Sequence, residues 1–218
     1  MSSSGSASSS FGDIIANAMG ERVSQYDRVA DLKWVGEPHR HIRTLVHFQA
    51  MKGATYSGRW GFSVDFVPVL SGPSNSVRRL ASKRTAKAAA FDLCLDPIDS
   101  ADRVPEWCSF DWLTPNPKRI AKVGAAVFES AFRDFDRITN LRDLRALFHQ
   151  RSQMKFRRFS LSNYTQTDLC WGLVCIACGD EHEGMSRIEV FCARFSIDLQ
   201  SKALLKAIET ARGDALRG

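Results

Sequence analysis

Two segments in the first third of the chain alternate apolar and polar residues with a period of two. Across 41–51 the even positions Ile42, Val46, Phe48 and Ala50 are apolar, with Thr44 among them. Across 59–70 the even positions Trp60, Phe62, Val64, Phe66, Pro68 and Leu70 form an almost unbroken apolar face. Alternation rich in aromatic and β-branched residues predicts two half-buried strands of one hairpin. Gly53 and Gly58 place the loop between them. Both strands bury even positions, so paired residue numbers share parity. The apparent loop length then sets His47 opposite Ser63, Gln49 opposite Gly61 and Leu45 opposite Asp65. Pro68 cannot donate to a ladder and puts that end at an edge.

Before the hairpin, Phe11, Ile14, Ile15, Ala18 and Met19 fall at helical spacing, with Ser10 as a cap. That predicts a helix from Phe11 to about Arg22, then a polar connector to about His39. After the hairpin, 71–76 has loop composition. The basic, alanine-rich segment 77–90 reads as a short helix. Phe91, Leu93 and Leu95 alternate as a third strand ended by Asp96-Pro97, and Trp107, Phe110 and Trp112 supply a fourth.

From Asn116 onward the period changes to 3.6. Asn116 caps and Pro117 opens a helix whose stripe is Ile120, Val123, Val127, Phe128, Ala131, Phe132 and Phe135, with Gly124 allowing close approach. Asn140 caps a shorter helix carrying Leu141, Leu144, Leu147 and Phe148. Residues 169–178 are nearly all apolar and predict a helix buried on most sides, closed by Gly179. Met185, Ile188, Phe191, Cys192 and Phe195 make another helical face. Asp198 leads into a last helix with Leu199, Ala203, Leu204, Leu205 and Ile208.

Strands first and helices after predict an α+β domain. The expected architecture is an antiparallel sheet of three to four strands in the N-terminal half, covered on one face by helices from the C-terminal half. The other face of the sheet is expected to be polar and wet. Residues 1–10 read as a disordered Ser-rich tail and 11–218 as a single domain.

The order of short motifs is familiar. A strand ends in Val46-His47-Phe48-Gln49, and Gly61-Phe62-Ser63-Val64-Asp65-Phe66 follows. A Trp-bearing segment at 107–112, a helix ending in Phe135-Asp136 and a Leu-rich helical tail with Cys178-Gly179-Asp180 complete it. This layout resembles the bacterial domain-of-unknown-function family 4304. The resemblance implies a compact α+β domain and supplies no catalytic residue.

Composition narrows the class. The 218 residues are 44% hydrophobic and 25% charged, which suits a packed core and excludes global disorder. Lys and Arg number 30 against 24 acids, an excess that favours acidic partners, yet the cations are spread along the chain. No window approaches the ~20 apolar residues of a membrane span. The N-terminus has neither the basic nor the apolar region of a secretory signal. The expected location is therefore the cytoplasm, with the cysteines reduced.

Several constellations invite chemistry. Cys175 and Cys178, with Cys170, Cys192 and His182 near in sequence, tempt a zinc or redox reading. They lie in a buried-helix pattern, where cysteine packs as a small hydrophobe, so no metal and no cofactor are expected. Asp180-Glu181-His182-Glu183 reads as acids at a helix start. On the odd face of the hairpin, His47 and Asp65 form the best acid–base pair the sequence offers, with Arg43, Gln49, Arg59 and Ser63 as binding residues beside them. The segments 78–87 and 155–159 are basic, the second with interleaved aromatics as at single-strand nucleic-acid sites. No phosphate-cradling glycine loop or nucleophile elbow occurs.

The first functional expectation is a non-catalytic domain that binds a protein partner. The alternatives are a hydrolase or transferase using His47 and Asp65, and a nucleic-acid binder through the two basic segments.

Overall fold

A computed structural model describes residues 10–71, 79–81, 85–95, 105–153 and 167–215. The chain is α+β. Helix α1 (Phe11–Met19) begins at a capping box in which Ser10 Oγ accepts from the Asp13 amide. A 3-10 turn at Gly20–Val23 finishes the helical segment expected from the sequence. The Ser-rich tail at 1–9 and the Asp96-Pro97 strand end fall outside the described residues.

The supposed polar connector holds two strands, β1 (Tyr26–Ala30) and β2 (Lys33–Gly36). Both are too short and too charged to show alternation. Strand β2 reveals the reason: Trp34 and Val35 are adjacent in sequence and both buried, one on each face of the sheet. Next come β3 (Ile42–Met51), β4 (Thr55–Val64), β5 (Val69–Ser71), β6 (Arg79–Ala81), β7 (Leu93–Cys94) and β8 (Ser109–Asp111). An antiparallel six-stranded sheet runs β1-β2-β3-β4-β7, with β8 also pairing β4, so the expected three to four strands undercount it. Strands β5 and β6 form a separate ribbon. Strand β6 and a 3-10 turn at Ala86–Ala88 stand where a basic helix was expected.

The parity of the hairpin is as expected; its register is not. His47 pairs with Arg59, Gln49 with Ser57 and Arg43 with Ser63. The turn needs only Lys52, Gly53 and Ala54, with Gly53 and Ala54 at positive φ. Gly58 therefore belongs to the strand. Its missing side chain admits helix α2 (Pro117–Phe135): a Cβ there would lie 2.4 Å from Val127.

Helix α2 lies on the even face. Phe128 packs edge-on to Trp34 at 5.4 Å, Phe135 to Phe62 at 5.4 Å, and Trp60 Nε1 donates to Asp134 at 2.7 Å. Gly124 lets α1 cross α2 against Ile15. Behind this seam, α4 (Thr167–Ala177) is buried almost throughout. It packs among α3 (Leu141–Ser152), α5 (Glu181–Phe195) and α6 (Lys202–Ala215). Gly172 and Gly184 bring α4 and α5 into backbone contact. Leu199 and Leu205, expected on the core face of the last helical segment, are exposed, and Leu204, Ala207, Ile208 and Ala211 do that work. No described helix is long and apolar enough to cross a membrane.

The odd face of the sheet is covered in part and not left wet throughout. Val35, Leu45 and Ala89 form a second small core with Val29, Ala86 and Phe91. Lys33 Nζ donates to the Ala89 carbonyl at 2.6 Å and fastens that cover.

Candidate functional site

Arg43 is 8% exposed and Ser63 1%, and the Ser63 hydroxyl has no hydrogen-bond partner among the described residues. A side chain sealed in this way cannot meet a ligand. His47 lies between Lys33 on β2 and Arg59 on β4. Burial, then the charges of Lys33 and Arg59, push its imidazole down to about 4. Gln49 Nε2 donates to His47 Nδ1 at 3.2 Å, as suits a neutral ring, and Arg59 leans toward the Met51 sulfur at 3.9 Å. Asp65 lies past the end of β4, roughly 20 Å further along an extended chain than the partner of His47. The His47–Asp65 pair therefore does not form. The register slip is the cause, because it moves the partner of His47 from Ser63 to Arg59.

A different imidazole meets Asp65. Strands β2 and β3 are joined by a tight hairpin in which the His39 and Ile42 amides and carbonyls bond reciprocally at 2.9 Å. The two turn residues, Arg40 at φ 46° and His41 at φ 71°, are both left-handed. Such turns are normally Asn-Gly or Asp-Gly, since other L-residues meet steric resistance there. Arg and His break that local rule, and rule-breaking of this kind clusters at functional positions.

His41 is held on both sides. Its Nδ1 lies 2.9 Å from Asp65 Oδ1, and its Nε2 lies 3.1 Å from Asp214 Oδ2, near the end of α6. Asp214 Oδ2 is sealed from solvent and accepts no well-directed hydrogen bond among the described residues, so the second contact is a polar one without hydrogen-bond geometry. Phe66 stands edge-on to the ring at 5.4 Å, and the Asp65 amide donates to the His41 carbonyl at 3.0 Å. The result is a clasp between the sheet and the last helix.

Beside the clasp a cavity of about 550 Å³ opens between the turn, the start of α3 and the ends of α4 and α6. Arg40, His41, Asn140, Arg142, Cys178 and Asp214 line it. A second cavity of about 520 Å³ adjoins it, sharing Arg142 and Cys178 and adding Arg145, His149, Trp171 and Glu183. Through these shared residues the two cavities border one another, and the surface they make is called the groove.

Its charges are unevenly satisfied. Asp214, the acid of the first cavity, faces His41. Glu183, the acid of the second, is held by Arg145 at 3.1 Å and Arg187 at 2.9 Å, and these bonds keep its carboxyl below the usual range. Arg145 is also tied to Asp180, and Arg187 stacks on Trp171 at 3.2 Å. Arg40 and Arg142 form no ion pair among the described residues.

The thiols are quiet. No disulfide joins the cysteines. Burial is the main cause that pushes the Cys175 thiol up to about 12 and raises Cys178, which disfavours the nucleophilic thiolate. Among the described residues no group of three His, Cys, Asp or Glu is placed to hold a metal ion. The basic segments 78–87 and 155–159 lie outside the described residues except at 79–81 and 85–87.

No family model, curated protein or solved structure matches the chain.

Sequence reasoning missed the groove. The strand expected over 41–51 includes His41, whereas His41 occupies a turn, and Asp214 is 173 residues away in a helix end that reads as ordinary surface. One signal was present: Asp65, Arg40 and His41 flank the two ends of a paired hairpin, which a tighter register brings to the same edge.

Proposed function

We propose that this protein is a non-catalytic binding domain for a protein partner, working through the groove beside His41. The observation that carries the reading is the clasp. His41, the imidazole that lines the first cavity, has a carboxylate of its own chain at each nitrogen, so neither of its nitrogens is open to take a proton from a substrate or give one. His47 lies between Lys33 and Arg59 and not beside Asp65, and the thiols of Cys175 and Cys178 resist ionisation. The groove meanwhile offers exposed cations, an apolar floor and concave shape, which are the ingredients of recognition.

Two measurements test it. Purified wild type and His41→Gln are compared on phosphoester, carboxyester and peptide substrates, with no His41-dependent turnover expected. Turnover that vanishes in His41→Gln while the fold persists would overturn the reading. A benzophenone side chain placed at Ala146, on the exposed rim of the groove, is expected to cross-link a discrete partner in the cells of origin. The same group at Val190, exposed on α5, is expected not to. Equal labelling at both positions counts against the groove as the binding surface.

A further inference from the structure

The geometry points to an acidic protein segment, in extended form, as the occupant of this groove. The inference rests on the binding-domain reading above and names the chemistry of the partner.

Each acid that lines the two cavities already faces a base of this chain, Asp214 by His41 and Glu183 by Arg145 and Arg187. Among the described residues two arginines that line the groove form no ion pair, Arg40 on the sheet side and Arg142 on the helix side. A guanidinium is a planar fork that favours carboxylates. The groove is therefore electrostatically incomplete in one sign only, and a partner with carboxylates completes it.

Backbone conformation supplies the second argument, independent of the first. Arg40 occupies a left-handed position at φ 46° that asparagine or glycine would hold with less strain. Placing a long cation there costs stability and projects it at the mouth of the cavity. The clasp of His41 by Asp65 and Asp214 fixes the next residue of the same turn, so Arg40 is presented from a braced base rather than from a loose loop.

Shape separates a peptide from a small anion. Arg142 and Cys178 line both cavities, Leu141 and Ala177 add apolar lining to the first, and Trp171 adds it to the second. A free phosphate would meet the arginines and leave the apolar stretch empty. An extended chain with a carboxylate at each arginine and an apolar residue between them uses both.

The test is fluorescence anisotropy with the full chain and a labelled, glutamate-rich peptide bearing one leucine. Arg40→Glu and Arg142→Glu are each expected to weaken binding at least about tenfold, and raising salt is expected to weaken it in the wild type. Lys122→Glu, a charge reversal on α2 outside the groove, is expected to change nothing. A lysine-rich peptide of the same length is expected not to bind. The inference is overturned if the acidic peptide fails to bind, if both reversals leave its affinity intact, or if inorganic phosphate or single-stranded RNA competes as well as the peptide does. Failure here is separable from failure of the binding-domain reading, because cross-linking from Ala146 with no acidic-peptide affinity would keep the surface and discard its chemistry.

Discussion

Helices α2 and α6 both touch the sheet, and they do so by opposite chemistry. Helix α2 meets the even face through Val127 over Gly58, Phe128 on Trp34 and Phe135 on Phe62, all buried. Helix α6 reaches the end of the same sheet through Asp214 on His41, while a smaller cavity of about 180 Å³ remains between Lys206, Thr210 and the segment after β4. The first contact is dry and interlocked. The second is polar, partly open and next to the groove. A seam of the first kind sets global stability, because dispersion and burial act over many atoms. A clasp of the second kind sets which local geometry is populated, because its energy is modest and depends on charge.

Breaking the seam is expected to give the largest effect. Phe128→Ala removes a fully buried ring between Trp34, Tyr26 and Phe132 and should cost about 3–5 kcal/mol. Urea titration reads this as a lower midpoint. Gly58→Ala attacks the same seam from the other side, since its Cβ would sit 2.4 Å from Val127. The expected cost is about 1–3 kcal/mol. Val127→Ala in the Gly58→Ala background should restore part of that loss, a coupling that two independent sites would not show.

The seam was legible in the sequence and the clasp was not, for a physical reason. Repeated side chains of one chemical type leave a periodic trace, so Ile120 to Phe135 and the even positions of the hairpin announce their shared face. Parity follows from the pleat, and it survived even though the register slipped. Register depends on the turn, and Gly58 read as a loop glycine when its role was to admit Val127. Strands β1 and β2 left no trace because Trp34 and Val35 bury on opposite faces. The clasp joins single residues from a turn, a strand end and a helix end, and nothing local ties His41 to Asp214.

The odd face allows a pH test of intermediate size. His47 is pushed down to about 4 from an ordinary value of 6.5, chiefly by burial. Between those values the unfolded chain binds a proton at this position and the folded chain does not. Stability must therefore fall as pH drops from about 6.5 to about 4 and then level off for this group. Discounted for the partial exposure of the ring, the expected loss is about 1–2 kcal/mol. His47→Gln should flatten that part of the profile. An unchanged slope would mean that another group produces it.

Loosening the clasp is expected to cost less globally and more locally. Asp214→Asn keeps the shape of the side chain and removes its charge toward His41, with an expected loss of about 1 kcal/mol. Hydrogen exchange should show the end of α6 opening faster while α2 keeps its protection. Equal loosening of both helices would mean that the two contacts are one cooperative unit and that the contrast drawn between them is false.

The smallest expected effect in stability has the opposite sign. Arg40→Asn replaces a left-handed arginine by a residue that tolerates that conformation, so thermal stability should rise by roughly 0.5–1 kcal/mol. The same change removes one of the two arginines left without an acid and should weaken binding of the acidic peptide. A chain selected only for folding would carry asparagine or glycine at this turn. Stability rising while affinity falls would therefore identify Arg40 as a residue held against local preference for the sake of the groove. Stability that falls instead would show that the arginine braces the turn through its own packing, and the argument from strain would no longer support the site.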